Sequence, residues 1–206
     1  MNEQKNVNPA EKKNSNGPFY VLLAITGLPF ILALYFFYNP HLVSHLSTGN
    51  NGTLINPPVV VPAMQLNTID GKTFDTKQLK DNWTLLMVAS SQCDEKCIQN
   101  LFFLRQIRLA MGEDRSKIQR VMMLTDTEHT AALNKKLETY EGTITITGPK
   151  KDRAKLIKLL QVDETPLANR VFLVDPQGNL MMSYPANPPW KDVLKDLQHL
   201  LKIVQM

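Results

Sequence analysis

Cys93 and Cys97 are the only thiols in this 206-residue chain, and the three residues between them, Asp94, Glu95 and Lys96, set what chemistry the pair can do. Two thiols that close can open and close a disulfide by exchange with a partner's sulfur. Reduced, they offer two soft thiolate donors suited to Cu(I). The inert alternative is a plain stabilising disulfide, although a loop this short removes little unfolded-state entropy. Residues four apart on a regular helix hold their Cβ atoms about 5–6 Å apart, whereas an unstrained disulfide needs about 3.5–4.5 Å. Cys93 must therefore leave helical geometry if the two are to bond. Two cysteines are too few for a disulfide-dense scaffold or a four-thiolate zinc site.

The elements that position the pair are legible on both sides of it. Residues 83–89 form an apolar run bounded by Asp81-Asn82 and Ser90-Ser91, which predicts a buried strand. Over 94–111 the apolar residues Ile98, Leu101, Phe102, Leu104, Ile107 and Met111 recur at helical spacing, and Gly112 supplies a stop. The cysteines thus fall at a strand-to-helix turn, where unpaired N–H groups and the helix dipole lower a thiol's pKa. Asp94 and Glu95 suit the dipole but oppose a thiolate, whereas Lys96 favours one. Cys93, nearest the turn, is expected to be the exposed, attacking sulfur, and Cys97, covered by the helix, the resolving one. Other soft or imidazole side chains have plainer expected roles. Met122, Met123, Met181 and Met182 lie in pairs on strands, one of each pair facing the core; His129 opens a helix and His199 faces solvent.

Residues 1–18 are polar and aperiodic, with Lys5, Lys12 and Lys13, and predict a disordered cytoplasmic tail. Residues 19–38 carry no charge, and twenty residues at about 1.5 Å each span a hydrocarbon core of about 30 Å, so a transmembrane helix is expected. Pro29 is tolerated in such a helix, and Tyr20, Tyr35 and Tyr38 suit its interfaces. Asn39-Pro40-His41 is a poor site for signal-peptide cleavage. Lysines precede the span and none follows until Lys72, which places the N-terminus in the cytoplasm and the rest outside, in the periplasm for a bacterial inner membrane. Residues 39–62, rich in Asn, Gly, Ser, Thr and Pro and holding His41 and His45, predict a periplasmic stalk.

One folded domain is expected over 63–206. Its pattern is a hairpin of 64–69 and 72–74 around Asp70-Gly71, a helical turn at 76–80, and the strand and helix already described. A strand at 118–125, a helix at 128–140, an edge strand or extended loop at 143–147 and a helix at 151–160 follow. A second hairpin, 169–175 and 180–184, leads to a closing amphipathic helix at 190–204. Strands alternating with helices indicate an α/β layered domain. The net charge of +4 is scattered over the chain, which gives no nucleic-acid footprint.

The Asp70-Gly71 hairpin, the Leu79-Lys80 turn before Trp83, the Cys93–Cys97 spacing, the Gly148 break and the run Phe172-Leu173-Val174-Asp175-Pro176-Gln177-Gly178 together resemble the Sco/SenC family. The resemblance covers about residues 63–204 and implies a thioredoxin-like fold held at the outer face of a membrane. It also implies assistance to cytochrome c oxidase, at its CuA centre, by copper delivery or thiol reduction, with an oxidase subunit or another copper or thiol assembly protein as partner. Cys93 and Cys97 are then the redox pair and the Cu(I) ligands. Two departures stand out. The family's proline after each cysteine is replaced by Asp94 and Ile98, and Leu167 stands where the family has its third copper ligand, a histidine.

Overall fold

The computed structural model describes residues 16–39 and 49–204. The chain divides into two compact units between Gly49 and Asn50. The first contains helix α1, Gly17–Tyr38, which is apolar on all sides and long enough to cross a membrane. It starts two residues before the expected span because Pro18 sits in its first turn, where a missing N–H costs nothing. Thr26 inside the span donates its hydroxyl to the Leu22 carbonyl at 2.9 Å, which satisfies it without a partner helix. The expected tail up to residue 15, and His41 and His45 of the expected stalk, lie outside the described residues.

The second unit is an eight-stranded sheet with helices on both faces. Its strands are β1 (Thr53–Val60), β2 (Gln65–Thr68), β3 (Thr73–Asp75), β4 (Trp83–Ala89), β5 (Ile118–Leu124), β6 (Thr143–Thr147), β7 (Val171–Val174) and β8 (Asn179–Tyr184), in the order β1-β8-β7-β4-β5-β6-β2-β3. β4, β5 and β6 are parallel, β7 pairs antiparallel with β4, and β8 pairs antiparallel with β7 and so runs in the direction of the centre. Alternation along β4 divides the core in two. Leu85, Met87 and Ala89 face a cluster with Leu101, Leu104 and Ile107 of α2 (Glu95–Ala110), Leu133 of α3 (Thr130–Leu137) and Val193, Leu197 and Leu201 of α5 (Trp190–Val204). Leu86 and Val88 face the opposite cluster, covered by Leu156 and Leu160 of α4 (Lys150–Leu160).

Four expectations change. Residues 53–60 are not stalk but strand: β1 pairs with β8 from Thr53 opposite Ser183 to Val60 opposite Asn179, with an irregularity between Leu54 and Val59. Pro57 and Pro58 lie inside that irregularity on an edge strand, the one place in a sheet where missing N–H groups are tolerated. Second, Met122 and Met123 are both buried, because the central strand β5 is covered on both faces. Third, β6 is neither an edge nor a loop, since it lies between β5 and β2. The helix expected at 128–140 is shorter, ending at Leu137 and continuing as a 3₁₀ turn over Glu138–Tyr140.

Candidate functional site

β4 delivers the chain to Ala89, and the turn that follows is closed by the Cys93 N–H donating to the Ser90 carbonyl at 3.2 Å. Cys93 has a left-handed backbone, φ 44°, so it leaves helical geometry as the disulfide geometry demands. Asp94 is the N-cap of α2: its Oδ1 accepts from the Cys97 N–H at 2.8 Å, one of the donors a helix start leaves unpaired. Cys93 and Cys97 are joined in a disulfide with Cα atoms 5.1 Å apart.

Burial corrects one expectation. Cys93 is 2% exposed and Cys97 1%, and both belong to the core cluster, so neither sulfur is presented to solvent in the oxidised state. What the turn presents instead is backbone and charge. The Lys136 ammonium on α3 donates to the carbonyls of Gln92 and Cys93 at 3.1 and 3.2 Å, placing a cation at the Cys93 end of the pair. Ser91 fastens the turn to the end of β5: its hydroxyl donates to Asp126 Oδ1 in a short contact, and its N–H donates to the same oxygen at 3.1 Å. Burial pushes the Asp126 carboxyl upward, but donation from Ser91 and Thr125 outweighs it and holds the group below its ordinary range. The His129 N–H completes the knot by donating to the Ser91 hydroxyl at 3.0 Å, while the His129 side chain is exposed.

The loop before β7 closes the other side. Asn169, at φ 60°, donates its amide to Asp94 Oδ1 at 3.2 Å and its N–H to the Val88 carbonyl at 2.9 Å, and its own carbonyl accepts from Asn100 at 2.8 Å. Leu167 is half-buried and packs against the cluster on the opposite face of the sheet from the cysteines. The residue of this loop that meets the cysteine helix is therefore Asn169. Lys136, Ser91, Asp126, Asn100 and Asn169 were not singled out from sequence as parts of the site. None carries a periodic signal, and Asp126 reads only as a helix-opening residue.

As a metal centre the donor set is thin. Among the described residues no group of three or more His, Cys, Asp and Glu is placed to hold a metal ion. Met122, Met123 and Met182 are packed in the core, Met182 Sδ lying 2.9 Å from the Tyr184 hydroxyl, and His199 is exposed. Once reduced, Cys93 and Cys97 fit a two-coordinate Cu(I), which accepts soft thiolates at low coordination number. They do not fit Cu(II), which favours further nitrogen or oxygen donors.

Similarity to known proteins agrees with this geometry. The family model described as "Transmembrane-like, thioredoxin-like, C-terminal domain" matches residues 83–204. No curated protein matches the sequence. Among solved structures, copper-bound ScoI of Bradyrhizobium japonicum is similar at TM-score 0.57 and 21% identity, over 68% of this chain and 99% of that one. Copper-bound yeast Sco1 aligns at TM-score 0.60 and 18% identity, over 70% and 94%. BsSco, described as a Sco-family cytochrome c oxidase assembly protein with a disulfide switch, aligns at TM-score 0.53 and 15% identity, over 71% and 96%. The fold is thus the thioredoxin-like, Sco-type α/β arrangement that the hairpins and cysteine spacing led one to expect.

Proposed function

We propose that this chain, which belongs to the family of transmembrane-like proteins with a thioredoxin-like C-terminal domain, is a membrane-anchored thiol–disulfide protein that assists assembly of the CuA site of cytochrome c oxidase. The observation that carries this reading is the Cys93–Cys97 disulfide at the start of α2, with its first cysteine in a left-handed conformation and a lysine over the turn. In the reduced state the Cys93 thiolate attacks a partner disulfide, forming a mixed disulfide and expelling one partner thiolate. Cys97 then attacks the Cys93 sulfur and releases the second. The pair loses two electrons and the partner gains them. Cu(I), as cargo rather than resident cofactor, would be held between the same two sulfurs. Cysteine partners in an oxidase subunit or another copper or thiol assembly protein match this chemistry. The periplasmic side of a bacterial inner membrane is the compartment that the lysine asymmetry around α1 supports.

A second reading, a non-catalytic interaction domain stapled by a structural disulfide, is favoured by the near-complete burial of both sulfurs. The reduction potential separates the two. Structural disulfides of exported proteins lie below about −300 mV, and exchange-active ones lie higher. Equilibration of the full chain in detergent with a thiol redox buffer should give a potential above that limit. A value below it rejects exchange and leaves the stapled interaction domain.

A further inference from the structure

On the face of the sheet that holds the cysteines, α2 and α5 pack side by side and leave an apolar groove of about 370 Å³ open on their outer surface. Phe102, Phe103, Gln106, Leu109, Ala110 and Trp190 line it, and Phe102 and Leu109 are 46% and 48% exposed. Large apolar side chains gathered at one exposed groove mark an interaction surface. Cations border it. Arg105 stands between Phe102 and Leu109 on α2, and Lys191, Lys195 and Lys202 recur at helical spacing along the exposed side of α5. The Lys191 ammonium lies 5.8 Å from the centre of the Trp190 ring. None of these four cations belongs to an ion pair among the described residues. Of the acids on α5, Asp196 is engaged by Asn51 and Gly52, and Asp192, one turn before it, shares that side of the helix.

Aromatic rings at the centre and cations at the rim match a lipid surface, where Trp and Phe settle at headgroup depth and Lys and Arg meet anionic headgroups. The chain itself brings such a surface near. α1 is long enough to cross a membrane, and residues 39–49, eleven in number, reach about 40 Å at full extension. That connecting chain enters the domain at α5. The N–H groups of Asn51 and Gly52 donate to Asp196, and the Asn51 side-chain amide donates to the Asp192 carbonyl at 3.4 Å. Asp192 follows Trp190 closely in α5, so the groove side of that helix is about one helix diameter, about 10–12 Å, from the point of entry. We propose that the groove between α2 and α5 docks on the anionic lipid surface of the membrane that α1 crosses. Phe102, Leu109 and Trp190 insert at headgroup depth, and Arg105, Lys191, Lys195 and Lys202 meet the lipid phosphates. Lipid contact along α2 then fixes the direction in which the cysteine turn at its start faces. The inference rests on the membrane anchor of the proposed function and not on its cysteine chemistry.

The test reconstitutes the full chain into liposomes of zwitterionic phosphatidylcholine, with or without anionic phosphatidylglycerol, in which some lipids carry bromine near the headgroup end of the acyl chains. Bromine quenches tryptophan fluorescence at short range. Trp83 is 4% exposed within the domain, so the difference between the natural chain and Trp190→Phe isolates the signal of Trp190. Trp190 should be quenched in brominated anionic bilayers, less so in zwitterionic ones, and less as salt is raised. Phe102→Ser should lower the ratio of docked to free domain by about tenfold. Lys191→Gln and Lys195→Gln should each lower it by about fivefold, in anionic bilayers only. Lys155→Gln on α4, across the sheet, should leave it unchanged. Trp190 quenched no more than Trp83, or quenching indifferent both to Phe102→Ser and to anionic lipid, overturns the proposal. An unquenched blue shift that grows with the protein-to-lipid ratio also overturns it and assigns the face to a second copy of the chain. Alkaline carbonate washing separates this proposal from the anchor on which it rests. A chain washed off the liposomes rejects anchor and docking together, whereas a retained chain with unquenched Trp190 rejects the docking alone.

Discussion

Lys136 is the side chain through which the surface acts on the buried cysteines. Its ammonium donates to the Gln92 and Cys93 carbonyls and so ties the cysteine turn to α3. In the reduced full chain an alkylating reagent should modify Cys93 faster than Cys97, and Lys136→Met, which unties the turn, should change the Cys93 rate more than the Cys97 rate. Equal rates, or a faster Cys97, reverse the order of attack. Arg170 gives a second test at this scale. Its side chain is 4% exposed and donates to both oxygens of Asp163, with Ser183 Oγ at 3.1 Å. Arg170 holds the Asp163 carboxyl at about 2, below its unfolded value of about 3.9. A carboxyl depressed in the folded state adds stability that is full above about pH 4 and lost as the pH falls towards 2. Asp163→Asn should remove that acid-range slope from urea unfolding. The expected cost at pH 7 is about 1–3 kcal/mol, kept modest because Asp163 is 40% exposed. An unchanged slope would show that the pair contributes nothing.

Between elements, the decisive contact joins the start of the domain to α5. Asp196, buried on that helix, accepts from the N–H groups of Asn51 and Gly52, the Asn51 amide and the Tyr184 hydroxyl. Burial, and then the Asp196 charge, push the Tyr184 hydroxyl well above its ordinary range, so it remains a donor. Asp196→Ala should strand four donors and cost about 2–4 kcal/mol in chemical unfolding, with faster amide exchange over residues 51–54. Exchange unchanged there would mean that β1 holds to β8 without the carboxylate. Gly52→Ala probes the same junction sterically. A Cβ at residue 52 would meet Met182 Sδ and Tyr184 Cε1 at 2.6 Å, a clash expected to cost about 1–3 kcal/mol.

For the whole molecule, orientation and cargo are the properties to measure. A reporter fused after Met206 should be active only outside the cytoplasm, since the lysines gather before α1 and are absent for more than thirty residues after it. Activity of a cytoplasm-only reporter would remove the oxidising compartment on which the redox reading stands. The reduced full chain should take up Cu(I) weakly and give no stable Cu(II)–thiolate absorption band, because no third donor joins the two sulfurs among the described residues. A stoichiometric Cu(II) band would require a further ligand, with His129 on the neighbouring α3 turn the first to replace.

The amino-acid sequence alone determined the features that depend on local pattern: the apolar span, the strand-to-helix turn at Cys93 and Cys97, the two hairpins and the amphipathic closing helix. Each is read from periods of two or 3.6 residues and from turn chemistry, which act over a few neighbours. Burial of both sulfurs, the strand character of residues 53–60 and the choice of Asn169 over Leu167 beside the cysteines were decided only in the tertiary structure. A Pro-Pro segment is an edge strand only when β8 offers acceptors and donors beside it, and its stalk-like composition gives no sign of that. Likewise, which residue of the 167–170 loop meets α2 depends on Asn169 donating to Val88 and Asp94 and accepting from Asn100, partners that lie 69 or more residues away in the chain. No local spacing encodes them.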